Sequence, residues 1–234
     1  MNRTIKRLVV LISGNGSTLQ SVIDATRWHT LGAEVIAVFS HEAWSYGLLR
    51  AEREGIPAVL HDLAKFRIEG KSEYEYNQAL AEQVSTYNPD LVVLAGWKLA
   101  LTDNFFQHFP NKIVNLKQGL PGERPTFDPY GRSPVSRAYE AYNAGLINQT
   151  HFSTQILNNS QGSGRIIAHE PVPIYDFDTL LDLEERMNRV QQDLLINTLR
   201  LLLRDNNEQE EEEKTEHRGS ILDDILLGEI WRFG

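Results

Sequence analysis

The sequence predicts an α/β protein with a mainly parallel, twisted sheet, a Rossmann-like N-terminal half and helices on both faces. Three observations lead there. Apolar runs of a few residues alternate with longer segments of helical period, the pattern of consecutive β-α-β units. The first apolar run ends in a glycine turn, Ser13 to Thr18, that opens directly into a helical segment. A later run, Ile113-Val114, enters a turn rich in Gly and Pro, and the carboxyl ends of strands in such a sheet are where sites are built.

The elements follow in chain order. Arg7–Ile12 reads as the first strand, and Ser17–Arg27 as the helix that follows it. Glu34–Ser40 is a second strand and Trp44–Glu54 a second helix. Ala58–His61 reads as a short strand, and Glu73–Tyr87 as a helix. Leu91–Ala95 is a fourth strand, Asp103–His108 a short helix and Ile113–Leu116 a fifth strand. Ser136–Asn143 is helical, His151–Leu157 and Arg165–Val172 are strands, and Thr179–Leu203 is a long closing helix. No internal repeat is visible.

A chain of 234 residues with 41% hydrophobic content suits one main domain, placed at residues 1–204. There is no cysteine, which excludes disulfides, thiolate metal sites and cysteine nucleophiles. The N-terminal apolar run stops in a glycine turn rather than a cleavage site, and no apolar stretch reaches the ~18 residues of a membrane span. A cytoplasmic protein without membrane contact is expected. The formal net charge of −9 argues against a nucleic-acid partner, since phosphate neutralisation needs clustered Lys and Arg.

Much of that charge is local. Asp205 to Glu216 carries seven acidic residues against Lys214 alone, so residues 205–220 read as a solvated linker. Residues 221–234 differ: Leu222, Ile225, Leu226, Ile230 and Phe233 fall at helix-compatible spacing in a segment too short to be stable alone. Ile221–Phe233 is expected to dock on its own domain, on a second copy or on a protein partner.

Four stretches, LVVLISGNGSTLQ at Leu8 to Gln20, PDLVVLAGW at Pro89 to Trp97, IVNLKQGLPG at Ile113 to Gly122 and SRAYEAYNAG at Ser136 to Gly145, carry a resemblance. Together they resemble the folate-dependent glycinamide ribonucleotide formyltransferases of purine synthesis, over roughly residues 5 to 203. The resemblance implies a formyltransferase-like fold. It also implies a phosphorylated ribosyl substrate, a 10-formyltetrahydrofolate cofactor if the chain is active, and a set of named site positions.

At the glycine turn, Gly16, Ser17 and Thr18 occupy the places whose backbone donors hold the substrate phosphate. The turn has a physical basis for that role, because first-turn N–H groups and the helix dipole favour an anion. A glycine turn after a first strand also serves packing alone. Trp97, Lys98, Leu99 and Leu101 fall on the segment that lines the folate's pterin slot, with Lys98 and Leu99 departing from the usual residues. An aromatic followed by aliphatics is equally a core pattern.

The catalytic loop carries the largest departure. Formyl transfer needs a donor to the developing oxyanion, a group that polarises the carbonyl, and a path for the amine proton; each is worth about 10²–10³ in rate. The resemblance places Asn115 on the retained catalytic asparagine and Lys117 on the catalytic histidine. Gln155 falls on a second histidine, Gly162 on the catalytic aspartate and Gln191 on the glutamate of a substrate-contacting pair. A lysine with an ordinary pKa of about 10.4 is a poor proton shuttle near neutrality. Asp128, Glu123, His151 and His169 are the nearby titratable alternatives, and a lone His on a strand is more often structural. The expectation is a formyltransferase-fold protein without the proton-handling groups of normal formyl transfer. The alternative is an active transferase with a rebuilt site.

Overall fold

The computed structural model describes residues 5–118 and 133–204. The expectations for Glu123 and Asp128, for the linker and for the Ile221–Phe233 segment lie outside them. The elements run β1 Lys6–Ile12, α1 Ser17–Arg27, β2 Ala33–Ser40, α2 Tyr46–Arg53, β3 Ala58–Leu60, α3 Leu63–Ile68 and α4 Glu73–Ser85. They continue with β4 Leu91–Ala95, α5 Asp103–His108, β5 Ile113–Gln118, α6 Pro134–Asn143, β6 Gln149–Leu157, β7 Gly164–Pro173 and α7 Leu180–Leu203.

One sheet holds the seven strands in the order β3-β2-β1-β4-β5-β6-β7. The first five are mutually parallel, and β6 and β7 join antiparallel. Strand β1 is apolar throughout because both its faces are covered. Leu8, Val10 and Ile12 pack under α1 and α7, whereas Val9 and Leu11 pack under α4 and α5, and all five are fully buried. A third cluster joins Phe152 and Val172 of the antiparallel pair to Leu183 and Met187 of α7.

Local sequence starts the helices where the packing needs them. Ser72 and Glu75 form a reciprocal capping box at α4, and Thr179 and Asp182 do so at α7. Pro134 occupies the first turn of α6 behind a Ser133 cap. Helix α3 was not foreseen. Asp62 accepts from the backbone N–H of Ala64 and Lys65, which starts one short turn that apolar periodicity alone is too brief to reveal. Strand β5 runs to Gln118, two residues past its expected end, because pairing with β6 continues to Gln118 opposite Phe152.

The register positions the site. Ile12 pairs with Ala95, and Leu94 pairs with Asn115, so β1, β4 and β5 present their carboxyl ends along one edge.

Candidate functional site

The glycine turn follows β1 directly. Gly14 and Gly16 take φ values of +87° and +71°, which favour glycine. Gly16 also touches α2: a Cβ there would lie 2.6 Å from the Gly47 Cα. The Gly47 N–H and the Ser45 hydroxyl both donate to the Gly14 carbonyl, at 3.1 and 2.8 Å. Arg50 of α2 donates to the Asn15 carbonyl at 2.8 Å, which sets a guanidinium beside the turn. Gly16 caps α1 without a side-chain acceptor, and the Ser17 N–H is held by Asn15 Oδ1 at 2.9 Å. The turn therefore joins two glycines, a helix N-terminus and a cation, a setting that suits an anion. Gly16, Ser17 and Thr18 are the residues expected at this turn from the sequence, and Arg50 and Gly47 reach it only through the packing of α2.

Beside the turn, Ser13 Oγ lies 2.7 Å from His41 Nε2 and accepts the Lys98 N–H at 3.1 Å. The His41 ring stands edge-on to Trp97 with centroids 5.0 Å apart. Burial holds the His41 pKa below its usual value; the Glu42 carboxylate opposes this and Lys98 reinforces it. Among the described residues, the buried Trp97 indole Nε1 has no hydrogen-bond partner. Leu101, expected on the folate segment, is 6% exposed and packs in the core under α4 and α5. Leu99 lines a cleft of about 250 Å³ together with Leu63, Phe66, Arg67, Lys71 and Tyr76. That cleft rests on α3, so the residues facing Leu99 were not legible in the sequence.

At the end of β5, Asn115 stands directly opposite Gln155 of β6, and both are half-buried. Strand alternation puts Asn115, Lys117, Gln155 and Ser153 on the sheet face opposite Val114. Lys117 pairs with Ser153, which pairs in turn with His169 of β7, so one row crosses three strands. His151 lies on the same strand as Ser153, two residues away, and its Nε2 is 3.2 Å from the Gln149 amide nitrogen. Gly162 sits in the β6–β7 turn with φ +73°, and among the described residues none beyond its chain neighbours lies within 4 Å of a Cβ built on it. Gln191 is on α7, and its amide donates to Asn188 of the same helix at 2.9 Å. The structure thus brings Asn115, Lys117 and Gln155 together and holds Gln191 on the helix that covers Val114. Among the described residues no group of three or more His, Asp or Glu is placed to hold a metal, and no helix is long and apolar enough to cross a membrane.

Beneath the site, Arg186 of α7 grips Asp178 through two 2.6 Å contacts, and Asp178 also accepts the Tyr175 N–H at 2.9 Å. The guanidinium holds the Asp178 carboxyl below the usual carboxylate range. This pair pins the β7–α7 turn and with it the start of α7.

A parallel sheet covered by helices on both faces, with a glycine turn after its first strand and Asn115 and Lys117 in β5, defines an α/β protein of the class that builds ligand sites at the carboxyl ends of its strands. Comparison with known proteins narrows this class. A formyl transferase family model matches residues 6–199, so the chain belongs to the formyl transferase family. It is 35% identical over 210 residues to the phosphoribosylglycinamide formyltransferase of Schizosaccharomyces pombe, covering 86% of this chain and 99% of that one. The Escherichia coli phosphoribosylglycinamide formyltransferase is 32% identical over 180 residues, covering 77% of this chain and 79% of that one. The glycinamide ribonucleotide transformylase 1 structure from Geobacillus kaustophilus superposes with a TM-score of 0.73 at 26% identity, over 86% of this chain and all of that one.

Proposed function

We propose that this chain binds a phosphorylated ribosyl ligand on its family scaffold but does not carry out normal formyl transfer. The observation that carries the reading is the pairing of Asn115 with Gln155, an amide opposite an amide, with Lys117 two residues on. Formyl transfer needs a group that takes and releases a proton near neutrality, and an amide cannot. Gly162 offers no side chain at the position where the family resemblance implies an aspartate. The Gly14–Thr18 turn keeps the features that bind phosphate, so binding outlives catalysis on this reading.

A folate would meet a lining that fits its chemistry. Leu63, Phe66 and Leu99 provide an apolar floor for a flat ring, while Arg67 and Lys71 provide cations for carboxylates. When bound, 10-formyltetrahydrofolate would supply the formyl group, and Leu63, Phe66, Leu99, Arg67 and Lys71 would hold it. We place the protein in the cytoplasm, with residues 221–234 as a docking segment for a second copy or a protein partner.

The second reading is an active 10-formyltetrahydrofolate-dependent transferase with a rebuilt site. It is favoured by the near-complete coverage of the curated enzymes and by the row Lys117–Ser153–His169, which offers a cation and a titratable ring on the Asn115 face. The two readings separate in one experiment. Purified protein is mixed with phosphoribosylglycinamide and 10-formyltetrahydrofolate, and transfer is followed by absorbance, beside a thermal-shift titration with each compound alone. The proposal expects a shift with phosphoribosylglycinamide and no turnover; turnover at an ordinary enzyme rate refutes it.

A further inference from the structure

We propose that His41 and Ser13 form a proton-accepting pair that makes the glycine turn selective for a phosphate monoester dianion. The inference rests on the reading of Gly14–Thr18 as a phosphate site and adds two residues to it. Ser13 is the first residue of the turn, and its Oγ stands 2.7 Å from His41 Nε2. The same oxygen accepts the Lys98 N–H at 3.1 Å, so the pair ties the ends of β1, β2 and β4 together.

The side chain of His41 is only 9% exposed and lies against Trp97. The charged groups that face it are Glu42, 3.8 Å from Nε2 on its own loop, and Lys98 from the β4–α5 segment. Burial outweighs the Glu42 carboxylate and keeps the ring neutral in the free protein. Ser13 has one proton to give, and His41 Nε2 is the acceptor within reach. With the ring neutral and its proton on Nδ1, Ser13 donates to Nε2, and the hydroxyl proton is turned away from the ligand.

A dianion in the turn reverses the preference. Its charge stabilises the imidazolium, and Nε2 then carries a proton and donates to Ser13 Oγ. The hydroxyl proton is released toward a phosphate oxygen. No covalent bond forms or breaks: one proton enters from solvent on Nε2, and the serine proton changes acceptor. A monoanionic ester of the same shape gives the ring less reason to charge, so the pair discriminates on ligand charge as well as on shape.

The test is isothermal titration calorimetry of the full chain with ribose 5-phosphate at pH 7, in buffers of different ionisation enthalpy. Wild type is expected to take up a proton on binding. His41→Gln and Ser13→Ala test the two halves of the pair. In His41→Gln the sign reverses, because selecting the dianion releases the roughly 0.1 proton that a phosphate of pKa about 6 carries at that pH. Ser13→Ala keeps the ring but loses the relay, and it lowers the preference for ribose 5-phosphate over ribose 5-sulfate by about tenfold, one charge-assisted contact. Ribose 5-phosphate binding with no proton uptake, or with uptake unchanged in His41→Gln, overturns the pair and leaves the phosphate turn standing. Failure of wild type to bind ribose 5-phosphate at millimolar concentration overturns both.

Discussion

Alanine at Gly16 and at Gly14 separates backbone strain from contact in the turn that the binding proposal depends on. Both residues hold φ in the left-handed region, at +71° and +87°. Either alanine therefore costs about 1–2 kcal/mol of conformational strain. Their surroundings differ. Among the described residues a Cβ on Gly14 meets nothing within 4 Å beyond its chain neighbours, whereas one on Gly16 meets the Gly47 Cα at 2.6 Å. That neighbour is backbone and cannot swing aside. Gly47 cannot retreat freely either, because its own missing Cβ already faces Ile12 Cδ1 at 2.3 Å. Forcing α2 outward adds about 1–3 kcal/mol, the usual cost of overpacking. The expected totals are about 1–2 kcal/mol for Gly14→Ala and about 2–5 kcal/mol for Gly16→Ala. The entropy that alanine removes from the unfolded chain is common to both and cancels in the difference. In a domain of this size each kcal/mol lowers Tm by roughly 2–4 °C, so the two variants separate in a thermal scan and in urea unfolding. Gly16→Ala also moves Arg50 from the turn and is expected to weaken ribose 5-phosphate binding more than Gly14→Ala does. Equal destabilisation by the two alanines refutes the reasoning, because it removes the Gly16–Gly47 contact from the energetics.

Asp178→Asn leaves Arg186 without its carboxylate, and because the arginine side chain is 24% exposed, water recovers part of the loss; the expected cost is about 2–3 kcal/mol by urea unfolding. The Asp178 pKa is lowered on folding, so its contribution is present above the unfolded value near 3.9 and is lost as pH falls through the folded value; Asp178→Asn should flatten the acid limb of the stability curve. His41 and His61 are both lowered, chiefly by burial, so the unfolded chain binds more protons just below pH 6.5, and stability should fall from pH 7.5 to pH 5.5. A flat profile over that range counts against both assignments. Installing Lys117→His, Gln155→His and Gly162→Asp together is expected to produce formyl transfer where wild type shows none; at φ +73° the aspartate carries about 1–2 kcal/mol of backbone strain, so a thermal scan of the variant accompanies the assay. Equal turnover by wild type and the triple variant removes the case for lost chemistry. Deleting residues 205–234 is expected to leave Tm unchanged, and a large fall would make the segment structural.

The legible parts share a cause. Leu8 to Ile12 and Leu91 to Ala95 are apolar at every position because parallel strands are covered on both faces, and such runs identify themselves. The turn at Gly14 and Gly16 was legible because positive φ selects glycine locally. Asn115, Lys117 and Gln155 were named individually from the family resemblance. Helix α3 was missed because six residues carry less than two turns of period, and only the Asp62 cap betrays it. Leu101 shows the converse: a pocket-lining segment and a core segment read alike along the chain, and the packing is what turns its side chain into the core.

The sequence by itself determined the alternation of strands and helices, the glycine turn and the resemblance to the family. Those are properties of local period, backbone dihedral and residue identity, and each is written within a few neighbouring positions. Only the tertiary structure decided that Asn115 faces Gln155, that Gly16 rests on Gly47, and that Ser13, His41 and Lys98 meet over separations of 28 and 85 residues. Contacts of that kind depend on the register of strands and the docking of helices. Those follow from how the whole core packs, and no short stretch of the chain contains them.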